Sequence, residues 1–234
     1  MQIGKTGTAE SHICKAYPDR VEVRGLDLCR DLMGQMSFTE YFHLLLTGRK
    51  PTELQRDFLD VLLVAISEHG MMPTSVAARM TLAADPGSLQ GALAAGLLGC
   101  GPVILGTAEL CAKLLAEAQA KVLSGGNVKT VAEQMALDIK SAGGRGPHVA
   151  LARQFRLAIA KVWGKPLVMN VSMPMAAVLL DMGLPVNIVK AIPLLARTAG
   201  MLGHLAEEQE NPVGLLMAGK AEEAKKQLNA AIAR

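Results

Sequence analysis

Aromatic residues are scarce in this chain of 234 residues, which has one Trp, two Tyr and four Phe, or 3% in all. Runs in which β-branched residues alternate with polar ones are also few. Because the strands of sandwiches and barrels depend on such patterns, the sequence argues against those folds. Half of the residues are hydrophobic, and Ala, Leu and Met, which favour helices, dominate among them. We therefore predict an all-α fold of closely packed helices.

Long hydrophobic runs are missing as well. The longest, at 61–67, 92–101 and 191–196, fall far short of the ~20 apolar residues that cross a bilayer. Residues 1–10 lack the apolar stretch of a signal peptide. We expect a cytoplasmic protein that does not bind a membrane. The mean hydropathy of +0.28 is nevertheless high, which favours a wide interface between copies of the chain.

The chain has no large excess of either charge, and it has few cysteines. Lys and Arg number 24 and Asp and Glu 21, a net charge of +3, and no dense basic run is interleaved with aromatic residues. Nucleic-acid binding is therefore not expected. The four cysteines, Cys14, Cys29, Cys100 and Cys111, form no CxxC pair, so we predict reduced thiols and no metal site.

Local patterns place the helices. Ser37 and Thr52 are predicted N-caps, and Thr52 precedes a Gln at the spacing of a capping box. Residues 89–99 carry no charge, which predicts a helix buried on every side. Pro193 lies within a longer helical pattern and should kink that helix. Alternating residues at 21–24 predict a short strand.

His69 closes a strongly patterned helix and is followed by Gly70. The helix macrodipole favours a cation at this end. An imidazole beside a loop can also act as a hydrogen-bond donor or general acid toward a cleft. A histidine that only caps the helix is the alternative, and position alone does not choose between the two.

Arg197 and His204 lie seven residues apart, so they share one face of a helix. Two glycines between them leave room for a ligand or a second helix. Burying two cationic groups is costly without an anion, and a carboxylate is the natural partner of the arginine. The alternative is a salt bridge to Glu207 or Glu208 of the same chain.

A glycine-rich loop with one cation is a candidate phosphate-binding segment. Its amides and its arginine suit a phosphate or a CoA moiety, although the loop has neither the P-loop nor the dinucleotide-binding pattern. A mobile loop without a ligand is the alternative. The candidate CoA-binding residues are Gly143, Gly144, Arg145 and Gly146.

Short segments along most of the chain form a specific combination, although each alone is short. They are VRG at 23–25, DLM at 31–33, SFTE at 37–40, LLLTG at 44–48, PT at 51–52, EHG at 68–70, PTSVAAR at 73–79, AAGLLG at 94–99, LGTAE at 105–109, NVS at 170–172, LARTAG at 195–200 and GH at 203–204. In combination, these segments resemble the citrate synthase superfamily. Within it they are similar to the short bacterial citryl-CoA lyase branch and to the lyase module of ATP-citrate lyase.

The resemblance covers nearly the whole chain and implies a citrate synthase-like, all-α fold. It also implies a large and a small helical domain around a cleft for CoA and citrate. Residues 1–124 and 171–234 would form the two parts of the large domain, and residues 125–170 a shortened small domain.

The activity that the resemblance implies is carbon–carbon lysis of a CoA thioester, with citryl-CoA giving acetyl-CoA and oxaloacetate. Such a reaction needs a base for the tertiary hydroxyl and donors for the thioester oxygen, but neither a metal nor a redox cofactor. The family forms homodimers or higher oligomers. A condensing enzyme with another acyl-CoA and keto acid, and a non-catalytic CoA-binding paralogue, are the alternatives.

Site residues follow from the resemblance by position. His69 matches the histidine that binds the carbonyl or hydroxyl on the oxaloacetate side, and Arg197 matches the arginine that holds a substrate carboxylate. His204 follows that arginine as it does in the lyase branch. Together with Asn170 of the NVS segment, Arg197 and His204 are the implied substrate-binding residues.

The chain also departs from the synthases. Leu105 stands where they have the enolising histidine, which favours a lyase. Ser172 stands where they have the catalytic aspartate of Asn-Val-Asp. The segment 143–156 is shorter than its counterpart in the family, and His148 is the histidine present there. We include Ser172 and His148 with His69 among the candidate catalytic residues.

Overall fold

Helices joined by short turns make up most of the chain, which confirms the predicted all-α class. The structure is a computed structural model and describes residues 11–131, 147–164 and 170–232. The strands are β1 (Cys14–Ala16), β2 (Val21–Val23) and β3 (Leu26–Asp27). The long helices are α1 (Phe38–Thr47), α2 (Glu53–Ser67), α3 (Pro73–Ala84), α4 (Leu89–Leu98), α5 (Gly106–Leu123), α6 (Pro147–Trp163), α7 (Ser172–Asp181), α8 (Ala191–Glu210) and α9 (Gly214–Ile232).

The chain divides into two compact units, and the first ends at Asp60. Its strands form an antiparallel sheet in the order β1-β2-β3, in which Val23 pairs with Leu26. Arg24 and Gly25 between them both have positive φ, 52° and 81°. This is the backbone of a two-residue hairpin turn, for which glycine is well suited.

Helix α1 belongs to the first unit and begins with a reciprocal cap. The Ser37 hydroxyl accepts a hydrogen bond from the N–H of Glu40 (3.3 Å), and the Glu40 carboxylate accepts one from the N–H of Ser37 (2.6 Å). Leu44 packs with Val23 and Leu32 in the core of this unit. The predicted N-cap is confirmed, and the cap directs the apolar face of α1 onto the sheet.

The second unit begins at Val61 and contains α3 to α9. Helices α3, α4 and α8 pack against one another, and α9 packs against α3. Helices α5, α6 and α7 form a second group of neighbours. The core of the first group consists of Ala78, Leu82, Ala92 and Leu205. Because α3 and α8 contact each other, residues far apart in sequence face one another there.

Two expectations from the sequence were wrong. Within the chain, α4 buries Ala92 and Gly96, but Leu98 is 86% exposed. Composition shows that the whole surface of a helix is apolar. It does not show whether other helices of the same chain pack against every side of that helix. Pro193 is the third residue of α8, which begins at Ala191. The first turn has no N–H bonded to a preceding turn, so the proline is accommodated without a break.

The domain division at 1–124, 125–170 and 171–234 stays a prediction. The compact units lie at other boundaries, with one break between Asp60 and Val61. Within the described ranges, no helix combines the length and the apolar character needed to cross a bilayer.

Candidate active site

The turn between α2 and α3 presents His69 at the surface. Helix α2 ends at Ser67, and Gly70 has a φ of +71°, a backbone conformation that glycine adopts without strain. Glu68 Oε1 accepts hydrogen bonds from the backbone N–H of His69 (2.8 Å) and of Gly70 (2.5 Å). The carboxylate therefore holds the backbone of this turn, while the His69 side chain is exposed.

Gly200 allows the same turn to lie directly against α8. A Cβ at Gly200 would overlap the carbonyl oxygen of Ser67 and would lie 3.2 Å from Glu68 Oε2. At Gly203 a Cβ would meet nothing within 4 Å. Of the two glycines in α8, the first is needed for a close backbone approach and the second is not.

Arg197 is a buried cation with two unpaired guanidinium nitrogens among the described residues. It is 6% exposed, and its Nε and Nη1 find no hydrogen-bond acceptor among the described residues. Burial raises the pKa of the nearby Cys100 thiol, and the charge of Arg197 opposes that rise. Unpaired donors on a buried cation are costly, so this guanidinium is suited to an anionic ligand.

Thr74 is the second residue with an unpaired buried group. Its Oγ1 has no partner within the part of the chain that the structure describes. A Cβ at Gly96 would lie 2.9 Å from the Thr74 carbonyl oxygen, and one at Gly99 would lie 3.0 Å from Thr74 Cγ2. Gly96 also faces Met201, which is one helical turn beyond Arg197. Helices α3 and α8, which carry Thr74 and Arg197, therefore both approach α4 near its C-terminal end.

Arg79 in α3 is, by contrast, paired with α8. Its Nη1 donates to Glu208 Oε2 (2.8 Å), and its Nη2 also pairs with Glu207. Burial alone would raise the pKa of Glu208, but the bonds from Arg79 and from the backbone N–H groups of Gly214 and Val213 hold it below its usual range. The carboxylates that the sequence offered to Arg197 are thus used by Arg79.

His204 has protein partners on both ring nitrogens. Arg79 Nε lies 3.1 Å from Nδ1 and can only donate, so Nδ1 accepts and the proton is on Nε2. Nε2 then donates to Glu68 Oε1 (3.0 Å). Burial would raise the pKa of Glu68, but bonds from the His69 N–H and from His204 lower it overall. His204 is therefore a neutral link between Arg79 and the turn that carries His69.

Known structures share this arrangement of helices. The chain is similar to citryl-CoA lyase from Hydrogenobacter thermophilus, with a TM-score of 0.75 and 27% identity over 88% of this chain and 87% of that one. The chain therefore resembles the citrate synthase superfamily in its fold. The resemblance to the citryl-CoA lyase branch is thereby confirmed, although no family model and no curated protein sequence matches the chain.

Two further solved structures have a similar fold. ATP citrate lyase from Methanothrix soehngenii, in complex with citrate and coenzyme A, has a TM-score of 0.72 and 17% identity over 89% of this chain and 40% of that one. Citrate synthase from Thermoplasma acidophilum has a TM-score of 0.55 and 21% identity over 75% and 54%. The predicted citrate synthase-like fold is confirmed.

In this citrate synthase-like fold, Ser172 begins α7 and faces α5. Its Oγ lies 2.8 Å from Oγ1 of Thr107, and its N–H donates to Oδ1 of Asn170 (3.1 Å). Ser172 is buried and Asn170 is exposed. Thr107 was not predicted as a site residue, although the LGTAE segment contains it.

His148 lies at the start of α6 and is bonded to the last residue of α7. Its Nδ1 is 2.8 Å from Asp181 Oδ1, and the other Asp181 oxygen accepts a hydrogen bond from the Val149 N–H (3.0 Å). Asp181 therefore holds the first turn of α6, and a catalytic role for His148 stays a prediction. The CoA-binding candidates lie outside the described residues: Gly143, Gly144, Arg145 and Gly146.

Three of the predicted residues, Arg197, His204 and His69, thus lie on α8 or on the turn that packs against it. Arg197 lies before Gly200 on α8 and His204 after it, while His69 lies on the turn itself. The connecting residues Arg79 and Glu68 were not predicted, although both lie in segments that carry the family resemblance. Among the described residues, no group of three or more His, Cys, Asp or Glu side chains could hold a metal ion.

Proposed function

We propose that the chain is a citryl-CoA lyase, which cleaves citryl-CoA to acetyl-CoA and oxaloacetate. The observation that carries the proposal is the buried Arg197, whose Nε and Nη1 have no acceptor among the described residues. A substrate carboxylate supplies two oxygens in the plane of such a guanidinium. The similarity to a citryl-CoA lyase at 27% identity supports this assignment.

The reaction is a reverse aldol cleavage. A base removes the proton of the tertiary hydroxyl, the carbonyl of oxaloacetate forms, and the carbon–carbon bond breaks. Its electron pair passes to the thioester as an enolate, which then takes up a proton to give acetyl-CoA. We assign His69 as the group that binds the hydroxyl and accepts its proton, because its imidazole is exposed on a turn whose backbone is fixed.

Several other assignments complete the proposal. Ser172 and Asn170 line the start of α7, where the hydroxyl pair with Thr107 offers a hydrogen-bond donor. The glycine-rich segment 143–146, which lies outside the described residues, binds the CoA phosphates. No metal or redox cofactor takes part, since the enolate needs only hydrogen-bond donors. Leu105 at the start of α5 provides no acid or base for condensation, so the lyase direction is preferred.

The test is the release of acetyl-CoA and oxaloacetate from citryl-CoA. The wild type should cleave it, and Arg197→Gln should lower kcat/KM by about 100- to 1000-fold, the loss typical of one lost charge-stabilising contact. Arg49→Gln is the matched control: it makes the same change of charge at an exposed position and should leave cleavage unchanged.

Two results would contradict the proposal. CoA binding by calorimetry without any cleavage would indicate a non-catalytic paralogue. Faster formation of a CoA thioester from acetyl-CoA and a keto acid than its cleavage would indicate a condensing enzyme.

We further propose that the active form is a cytoplasmic homodimer or higher homo-oligomer. Leu98 and Val103 are each 86% exposed, and Leu110 on α5 is exposed as well. Several large apolar side chains left exposed within 13 residues of sequence favour a subunit interface that covers them. Light scattering should give a mass of at least two chains, and Leu98→Glu should reduce it. A monomeric wild type would contradict the proposal.

A further inference from the structure

We infer that Arg79 and His204 are positioning residues, which hold His69 in place through Glu68 without touching the substrate. The inference rests on the function proposed above. It follows from a continuous series of hydrogen bonds that runs from the interior of the second unit to the α2–α3 turn.

The first link sets the proton on His204. Arg79 is 2% exposed and donates to Nδ1 from both Nε (3.1 Å) and Nη2 (3.0 Å). A guanidinium has no acceptor, so the Nδ1–H tautomer would place two donors face to face. Arg79 therefore selects the Nε2–H tautomer.

The second link uses that proton. Nε2–H of His204 donates to Glu68 Oε1 (3.0 Å), the oxygen that also accepts from the backbone N–H of His69 and of Gly70. With the other tautomer, Nε2 would be an acceptor facing a carboxylate. Selecting the tautomer thus orients Glu68, and Glu68 orients the backbone that carries His69.

The third argument concerns what His204 cannot do. Both of its ring nitrogens are occupied by protein groups, so neither is free for a substrate carboxylate. The hydrogen bonds require an acceptor at Nδ1, toward Arg79, and a donor at Nε2, toward Glu68. The task of His204 is therefore geometric, although the sequence suggested substrate binding.

The test compares His204→Gln with His204→Ala in citryl-CoA cleavage. The glutamine carbonyl can accept from Arg79 and its amide can donate to Glu68, yet it cannot transfer a proton. The alanine variant loses both bonds, and we expect kcat to fall about 100-fold, the loss that a misplaced group causes. His204→Gln should recover most of that loss. Equal inactivity of the two variants, with an active wild type, would overturn the inference.

A second measurement does not depend on activity. Nitrogen NMR of the wild-type imidazoles should show His204 as the Nε2–H tautomer, and His204→Ala should speed hydrogen exchange of the His69 and Gly70 amides. If the wild type cleaves no citryl-CoA, the proposed function fails, while these spectra still decide the positioning role. A protonated or Nδ1–H ring, or unchanged exchange in His204→Ala, would overturn it.

Arg79→Lys tests the first link while keeping a cation beside Glu208. Lysine keeps the charge but lacks the rigid fork that reaches Glu208 and His204 together. We expect a changed His204 tautomer signal and a reduced kcat. Glu207→Gln is the matched control, because it removes an exposed partner of Arg79 and should alter neither. An unchanged signal and kcat in Arg79→Lys would contradict the selection of the tautomer by Arg79.

Discussion

Each end of helix α8 lies at a buried arginine, and the two arginines differ in their pairing. Toward its C-terminal end, His204, Glu207 and Glu208 together pair with Arg79 from α3. Toward its N-terminal end, Arg197 is buried with two nitrogens that have no acceptor among the described residues. Both ends belong to one continuous helix, so the difference does not arise from local backbone structure.

The contrast separates structure from ligand binding. A buried ion pair whose remaining donors and acceptors are satisfied costs little in the absence of ligand, whereas an unpaired buried cation destabilises the unliganded protein. The paired arginine therefore stabilises the fold. The unpaired arginine lowers the stability of the unliganded protein, and binding of an anion would restore it. Each of the following experiments tests one side of this difference.

Removing the paired arginine should have the largest effect. Arg79→Ala leaves the buried carboxylate of Glu208 without its cation, and we expect the free energy of unfolding to fall by about 3–5 kcal/mol. Urea unfolding measures it. In the matched control Glu207→Gln, loss of an ion pair with a largely exposed partner should cost less than about 1 kcal/mol. Equal losses of unfolding free energy in Arg79→Ala and Glu207→Gln would contradict the claim that the buried pair with Glu208 contributes most of the stability.

Supplying an anion should stabilise the unpaired end. Citrate at about 100 times its Kd should stabilise the wild type by about 2.7 kcal/mol, seen as a higher Tm in a thermal scan. Arg197→Gln should lose this response while its Tm without citrate is unchanged or higher, because an unpaired charge is removed. Arg49→Gln should respond as the wild type does. A full response in Arg197→Gln would show that the anion binds elsewhere.

The junction between the two ends can be tested with alanine. Gly200→Ala should destabilise the protein by about 1–3 kcal/mol, since its methyl group would overlap the Ser67 carbonyl. Gly203→Ala, in open space on the same helix, should be neutral or stabilise by up to about 1 kcal/mol. Comparable unfolding midpoints for the two variants would refute the close approach of the turn to α8.

The smallest expected effect is the pH dependence of the Arg79 pair. Since the pKa of Glu208 is lowered in the folded protein, its stabilisation is present above the unfolded-state value of about 4.3. It is lost as pH falls through the folded-state pKa. Without Arg79, the part of this lowering that its hydrogen bond and charge supply is lost, so Glu208 contributes less stability above that pH in the variant. The gap in unfolding free energy between wild type and Arg79→Ala should therefore narrow toward about pH 4. A constant gap would contradict the assigned partner of Arg79.

Local rules predicted much of the helical framework from the sequence. The caps at Ser37 and Thr52 form hydrogen bonds of the expected kind, because a cap involves residues three positions apart. Gly70 adopts positive φ after α2 for the same local reason. Position in the family resemblance also pointed to Arg197 as a site residue, and the structure buries it.

Partners across large sequence separations were not predictable in this way. Arg79 and its acceptors on α8 are more than 120 residues apart, so no local pattern joins them. From the sequence, Glu207 and Glu208 were therefore considered as partners of Arg197, which lies on the same helix. Likewise, nothing local showed that Thr107 would face Ser172, or that α4 would leave Leu98 exposed.

The sequence by itself determined where several helices begin, as at the caps Ser37 and Thr52. It also supplied an excess of small and apolar residues with a few cations. Helix propensity and capping act within a few residues, so they can be deduced from neighbours. The tertiary structure alone decided which buried arginine is paired. That choice depends on the packing of α3, and of the turn before it, against α8. Packing is a property of surfaces brought together from distant parts of the chain.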